Sequence, residues 1–179
     1  FPRKTLETLR QPLEDRFIQV TRSNYSTKFP CNFILLATMN PCPCGYHGDR
    51  KVRCICTESQ VKNYQKKLSG PLLDRFDIFL EITKTPIQKI FEPPDHNEKP
   101  HQQQVEKAND IQKHRGYKNS DLPTKLLLKF CQLDKTSQML LKKASQNLNL
   151  TNRAYFKTLK LARTIADIEA SPNIEQKHL

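Results

Sequence analysis

The sequence predicts an α/β part followed by an all-α part. Three observations carry this expectation. A nearly all-apolar run, Phe33-Ile34-Leu35-Leu36-Ala37-Thr38-Met39, reads as a strand buried on both faces, as in a parallel sheet covered by helices. A stretch rich in Pro, Asn, Glu and Lys from Thr85 to Pro100, including Pro93-Pro94, reads as a linker. Beyond it, each segment carries apolar residues at helical spacing. The expected organisation is therefore residues 1–84, a linker at 85–100, and a helical domain at 101–179. The 179 residues suffice for one ordinary domain or two small ones with a real core.

The elements follow in order. From Pro2 to Asp15, Leu6, Leu9 and Leu13 fall at helical spacing, and Pro2 suits a first helical turn. Phe17 to Thr21 is a short β-prone run. Ser23-Asn24-Tyr25-Ser26 signals a turn, and Thr27 to Phe29 can return as the second strand of a hairpin. After the apolar run comes a cysteine-rich loop. Thr57 to Leu68 then reads as a helix, with Thr57 and Gln60 spaced as a capping box. Ser69-Gly70-Pro71 breaks it, Leu72 to Phe76 reads as a single turn, and Asp77 to Ile82 reads as another strand.

In the second part, His101 to Arg115 places Val105, Ala108 and Ile111 on one face, with Gly116 as a stop. Pro123 to Gln132 is Leu-rich. Asp134 caps a helix bearing Leu140, Leu141, Ala144 and Leu148. Thr151 caps a last helix with Leu161, Ile165 and Ile168 on one stripe, ended by Ser171-Pro172.

Composition narrows the function. The four glycines, Gly45, Gly48, Gly70 and Gly116, provide neither a Walker A loop nor a dinucleotide-binding G-x-G-x-x-G, so the chain by itself is neither a self-sufficient P-loop enzyme nor a Rossmann one. The formal net charge is +12, with 13 basic and 8 acidic residues in 1–83 and 17 and 10 in 84–179. An excess spread over both halves suits a polyanionic partner such as nucleic acid, and equally a protein that is simply lysine-rich. Neither a membrane-length apolar run nor a signal-peptide pattern is present. A cytoplasmic location with reduced thiols is expected.

Four places carry candidate chemistry. Asn40, in Ala37-Thr38-Met39-Asn40-Pro41, sits at the carboxyl end of the expected strand, where ligands bind in open α/β sheets; Asn40-Pro41 is also an ordinary strand-ending turn. Arg75, in Leu72-Leu73-Asp74-Arg75-Phe76-Asp77, reads either as a local salt bridge between two acids or as an arginine presented to a neighbouring subunit's nucleotide. Arg153, in Thr151-Asn152-Arg153-Ala154-Tyr155, falls in a first helical turn, where the helix dipole disfavours a cation unless an anion is nearby. Cys42, Cys44, Cys54 and Cys56 form C-x-C, nine residues, C-x-C. Four thiolates satisfy tetrahedral zinc, although the usual spacing within a pair is C-x₂₋₄-C; the alternatives are free thiols in an ordered loop and, least favoured in the cytoplasm, a disulfide.

In this order and spacing, the stretches resemble the magnesium-chelatase-like AAA+ ATPases, in particular their competence-protein (ComM/YifB) branch. The resemblance runs from Phe1-Pro2-Arg3-Lys4 and Leu9-Arg10-Gln11-Pro12-Leu13-Glu14-Asp15, through Met39-Asn40-Pro41-Cys42-Pro43-Cys44-Gly45-Tyr46, to Ala162-Arg163-Thr164-Ile165-Ala166-Asp167. It implies the C-terminal part of an AAA+ core, with an incomplete parallel sheet, helices and a β-hairpin, plus a small helical lid. It places Phe1 just after a Walker B strand, so that Walker A lies upstream and the fragment alone binds ATP poorly and does not hydrolyse it.

The resemblance also implies roles. Asn40 looks like the sensor-1 residue that aligns the attacking water, Arg75 like the arginine finger acting in trans, and Arg153 like the sensor-2 arginine of the lid. ATP and Mg²⁺ would be the cofactors and a ring, such as a hexamer, the assembly. Arg16 to Phe29 occupies the place of the pre-sensor-1 hairpin, so Arg22 and Lys28 can meet a nucleic-acid backbone with Tyr25 available to stack; a solvated hairpin tip is the other reading. The implied function is ATP-driven remodelling of DNA, such as branch migration or unwinding during competence and recombination. Two alternatives stand beside it: the motor subunit of a metal chelatase, and a zinc-stabilised nucleic-acid-binding module without an ATPase role.

Overall fold

The computed structural model describes residues 1–23, 25–82 and 98–179; the side chains of residues 98–100 are left aside. The chain divides into two compact units, Phe1–Ile78 and Phe79–Leu179.

The first unit opens with two short helices, α1 (Arg3–Glu7) and α2 (Arg10–Asp15), where the sequence predicts a single one. Pro12 explains the break. It has no N–H for the Thr8 carbonyl, and its ring crowds that carbonyl, so the helix restarts after Thr8. Arg16, at φ 58°, takes the left-handed turn out of α2. The expected hairpin forms next, β1 (Phe17–Arg22) antiparallel to β2 (Tyr25–Pro30), from Phe17 opposite Pro30 to Arg22 opposite Tyr25. Cys31 N–H donates to the Arg16 carbonyl at 2.7 Å and closes its base.

The two strands expected at Phe33–Met39 and Asp77–Ile82 are not formed. Among the described residues the hairpin is the whole sheet, so the incomplete parallel sheet is not seen. Apolarity marks a segment for burial, but a strand needs a ladder partner for its N–H and C=O groups, and neither segment meets one here. Ile34 and Leu36 are accordingly 89% and 90% exposed, with Leu80 and Ile82 close to that.

The helix α3 (Glu58–Gln65) starts as its sequence predicts. Thr57 Oγ1 accepts from Gln60 N–H at 3.3 Å, and Gln60 Oε1 accepts from Thr57 N–H at 2.9 Å, completing the capping box. One helical turn, α4 (Gly70–Leu73), follows, capped by Ser69 Oγ and with Pro71 in its first turn.

The second unit is helical: α5 (Glu98–Arg115), α6 (Thr124–Phe130), α7 (Lys135–Asn147) and α8 (Asn152–Ile168), with short 3₁₀ turns at Asn119–Asp121 and Gln176–His178. Since α5 starts at Glu98, it takes in the last three residues of the expected linker; 85–97 lie outside the described residues. Gly116, at φ 80°, ends α5, and Asp134 and Thr151 cap α7 and α8 through Ser137 N–H and Ala154 N–H, all as the sequence predicts.

The core of this unit comprises Leu122, Leu127, Cys131, Leu141, Leu159, Ala162, Ala166 and Ile174. It corrects the expected stripes. In α8 the fully buried face is Leu159, Ala162, Arg163, Ala166 and Asp167, whereas Leu161, Ile165 and Ile168 are only half-buried. In α7, Leu141 is buried but Leu140 and Leu148 are exposed; in α5, Ala108 is buried but Val105 is exposed. Helical spacing found each helix, while the packing partner chose the face. Among the described residues no helix is long and apolar enough to cross a membrane.

Candidate functional site

Asn40 is exposed at the end of the uncovered segment. The next residue is anchored: Gln65 Nε2, at the far end of α3, donates to the Pro41 carbonyl at 3.2 Å. The chain leaving Asn40 is thus tied to α3.

Arg75 follows α4. Its guanidinium is largely buried and held at three points. Nε donates to the Arg10 carbonyl at 3.1 Å, Nη1 to the Pro71 carbonyl at 2.5 Å, and Nη2 pairs with the Glu14 carboxylate. The sequence offers Asp74 and Asp77 as neighbours, but Glu14 lies 61 positions away and no local pattern points to it. The contact ties α2 to α4 and fixes the direction of the arginine.

Arg153 is the second residue of α8, one place after Asn152 and two after the Thr151 cap, and it is half-buried. Thr151 Oγ1 accepts from Ala154 N–H at 3.1 Å. The remaining first-turn amides carry the positive end of the helix dipole, so an anion beside this turn would meet both dipole and guanidinium. Asn40 and Arg75 belong to the first unit and Arg153 to the second.

The hairpin separates its three candidate residues. Strand alternation puts Arg22 and Tyr25 on one face with Ile18, Val20 and Phe29, and Lys28 on the other with Gln19 and Ser26. Tyr25 is 81% exposed, whereas Lys28 Nζ sits 4.7 Å from the centre of the Phe17 ring. Gln19 Nε2 donates to Ser26 Oγ at 2.8 Å on that polar face.

The four cysteines do meet. Cys42 Sγ is 3.4 Å from Cys44 Sγ and 3.7 Å from Cys54 Sγ, and Cys44 and Cys54 are 3.5 Å apart. With Cys56, all four sulfurs lie within 4.8 Å of one another. Pro43 supports a turn closed by Gly45 N–H on the Cys42 carbonyl at 3.1 Å, and Gly45 and Gly48 both take positive φ, 82° and 84°. Asp49 Oδ1 then accepts from Lys51 N–H and Val52 N–H at 2.8 and 3.1 Å, ordering the return. The backbone N–H of Tyr46 lowers Cys44 to about 6. At Cys54 the Cys56 amide pulls the same way, but burial and the adjacent Cys44 and Cys42 sulfurs push the thiol up to about 12.

Two family descriptions match this chain: "Magnesium chelatase, subunit ChlI" over residues 1–90, and "Magnesium chelatase, subunit ChlI C-terminal" over residues 96–179. The chain belongs to the magnesium chelatase ChlI family. It is similar along its whole length to the competence protein ComM of Haemophilus influenzae and to the protein YifB of Escherichia coli, at 38% identity over 182 residues in each case. It is 29% identical over 178 residues, 96% of the chain, to the protein Rv2897c of Mycobacterium tuberculosis. The chain spans about a third of the length of these relatives, 35%, 36% and 35% respectively.

One constellation of this ChlI-family chain is not legible as a site in its sequence. Asp167 is fully buried and accepts from Arg115 Nη1 and Nη2, Arg163 Nε and Asn119 Nδ2, at 2.7 to 3.0 Å. Arg163 also donates to the Ser171 and Pro172 carbonyls just beyond α8. The Arg163–Asp167 spacing of four was a readable signal; the participation of Arg115 and Asn119 was not. One of the motifs that carry the resemblance, Ala162 to Asp167, therefore supplies Arg163 and Asp167 to a buried ionic hub of the second unit.

The family implies ATP and Mg²⁺. The side chains present fit part of such a group: an exposed amide at Asn40 and guanidinium groups at Arg75 and Arg153 are donors suited to phosphate oxygens. A glycine-rich phosphate cradle is not encoded in this chain.

Proposed function

We propose that this chain supplies the sensing and trans-acting residues of an ATP-hydrolysing ring motor that remodels DNA. The observation that carries the reading is the disposition of three phosphate-seeking side chains in a ChlI-family chain. Asn40 stands just ahead of an anchored proline, Arg75 is a guanidinium fixed at three points, and Arg153 occupies the first turn of a capped helix.

Bound ATP supplies a transferable γ-phosphoryl group whose charge must be offset during transfer. The role of Asn40 is to orient a water through its amide. Arg75 offers positive charge to the nucleotide of an adjacent subunit, and its fixed direction lowers the ordering cost of doing so. The role assigned to Arg153, in the first turn of α8, is to offer positive charge to a nucleotide phosphate. The hairpin meets DNA with Tyr25 stacking on a base and Arg22 on the backbone. Arg22 and Tyr25 share a face, which supports assigning them a common contact; Lys28 is assigned a secondary part.

The test is DNA-stimulated ATP hydrolysis and strand exchange by the full-length protein that carries this chain. Turnover stimulated by branched or single-stranded DNA supports the reading. Turnover that responds to a porphyrin-binding partner and not to DNA replaces it with a metal-chelatase motor, and the lack of ATP binding by the full-length protein leaves the nucleic-acid-binding module.

A further inference from the structure

The ATPase reading makes no use of the cysteine loop. We propose that Cys42, Cys44, Cys54 and Cys56 bind one zinc ion as thiolates, and that this ion clamps the 41–57 loop onto α3. The inference stands independently of nucleotide or DNA.

The distances carry it. Four thiolates on zinc at about 2.3 Å define a tetrahedron whose sulfurs are separated by about 3.8 Å. The separations among Cys42, Cys44 and Cys54 are 3.4, 3.5 and 3.7 Å, and the fourth sulfur is within 4.8 Å of the rest. A disulfide, by contrast, pairs two sulfurs at about 2.05 Å. Here Cys54 Sγ approaches both Cys42 and Cys44, and all four sulfurs lie within 4.8 Å of one another, so the cluster converges on a point and does not divide into two bonded pairs. The short C-x-C bite that made the sequence an unusual match is accommodated by the turn at Pro43 and the left-handed Gly45.

The surroundings also suit a metal. Backbone amides of Tyr46 and His47 point at Cys42, and those of Tyr46 and Ile55 at Cys44, the kind of outer hydrogen bonds that orient ligand sulfurs and spread their charge. Cys42 is fully buried and the other three are half-buried. Four protein ligands leave no open position, which makes the site structural and not catalytic. All-sulfur tetrahedral ligation favours zinc over the harder divalent ions.

The ion would do mechanical work. Cys56 directly precedes Thr57, the cap of α3, so ligation ties the amino end of that helix to Cys42 and Cys44. Gln65 already ties the other end to the Pro41 carbonyl. Together they hold α3 along the loop, in a unit whose buried apolar residues are few.

The experiment is elemental analysis of the full-length protein purified without added zinc, followed by chelation and reconstitution. About one zinc per chain is expected, with none bound after Cys42→Ser/Cys54→Ser. Because that variant could fail by unfolding, cobalt is exchanged into the unmodified protein as well. Sulfur-to-cobalt charge transfer with the intense d–d bands of a tetrahedral S₄ site supports the proposal. Less than about a tenth of an equivalent of zinc after reconstitution, a pale octahedral cobalt spectrum, iron in place of zinc, or a disulfide between these cysteines in the peptide map would each overturn it.

Discussion

Arg115 donates both terminal nitrogens to the carboxylate of Asp167, at 3.0 and 2.8 Å, across 52 positions of sequence. The pair joins the last turn of α5 to the last turn of α8. It is largely shielded from water, with Asp167 fully buried and Arg115 11% exposed. Arg163 and Asn119 complete the set of donors, so the carboxylate is compensated on every side.

That geometry gives the first prediction. Asp167→Asn leaves two guanidinium groups facing a neutral amide in a low-dielectric site. A loss of about 3–5 kcal/mol of unfolding free energy is expected, because removing one partner of a buried pair strands the other charge. Urea denaturation followed by circular dichroism checks it; a loss below about 1 kcal/mol would mean that water reaches the hub.

Arg75 and Glu14 form an ion pair, so a purely structural tie and an arginine finger must be told apart. Arg75→Ala is expected to lower ATP turnover of the full-length assembly by about 10³-fold or more while nucleotide binding changes little. Glu14→Gln, which leaves the guanidinium in place, is expected to cost less than about tenfold. Equal losses in both variants would identify the pair as a brace alone. Steady-state turnover beside equilibrium nucleotide titration decides.

Thr151→Ala removes the side-chain acceptor for Ala154 N–H and should cost about 1 kcal/mol of stability. It also frees the first turn of α8, where Arg153 resides. Thr151→Ser should restore the loss, since Ser caps as well as Thr. Thermal unfolding of the three proteins measures this.

The hairpin faces predict an order of effects on DNA. Tyr25→Ala should weaken single-stranded DNA binding by about 1–3 kcal/mol, the usual worth of a base–aromatic stack. Arg22→Ala should lower the slope of log affinity against log salt by about 0.7. Lys28→Ala, on the opposite face and seated over Phe17, should do less than either. Fluorescence anisotropy at several salt concentrations tests the ranking, and a larger effect at Lys28 would reverse the assignment of faces.

Near the carboxyl end, Lys177 Nζ lies 2.6 Å and His178 Nε2 3.1 Å from a Glu169 oxygen. Hydrogen bonds from Lys177, then His178, hold the Glu169 carboxyl below its ordinary 4.5. A depressed carboxylate stabilises the fold above its unfolded value and loses that contribution as pH falls through the folded one. The loss therefore belongs to the acid side of about 4.5. Lys177→Ala should raise the Glu169 titration midpoint toward 4.5 and narrow the acid stability loss. Carboxyl-carbon NMR titration reads the shift directly.

The segments that fold by local rules were legible in the sequence. The Thr57–Gln60 capping box, the Asp134 and Thr151 caps, the Gly116 stop and the presence of the hairpin all depend on residues within a few positions of one another. The exception among the local rules is Pro12, which divides the first helix through a carbonyl four residues back. Non-local choices were not legible. The side of α8 that is buried depends on which helices meet it. The two apolar strands needed partners that no local pattern provides. Of the candidate site, the sequence held the identities of Asn40, Arg75, Arg153 and the cysteines, and the motifs that place the chain in its family.

By itself, then, the sequence determined the residue types available for phosphate and thiolate chemistry, the absence of a glycine cradle in this chain, and the helix ends set by the Thr57, Asp134 and Thr151 caps and by Gly116. Only the tertiary structure decided that Glu14 holds Arg75, that Tyr25 and Lys28 face opposite ways, that Asp167 gathers two arginines, and that four sulfurs separated by up to fourteen residues of chain meet at one point. The reason is one of range. Caps and turns are set by bonds between near neighbours, whereas a charge network or a ligand set is chosen by which distant surfaces exclude water together.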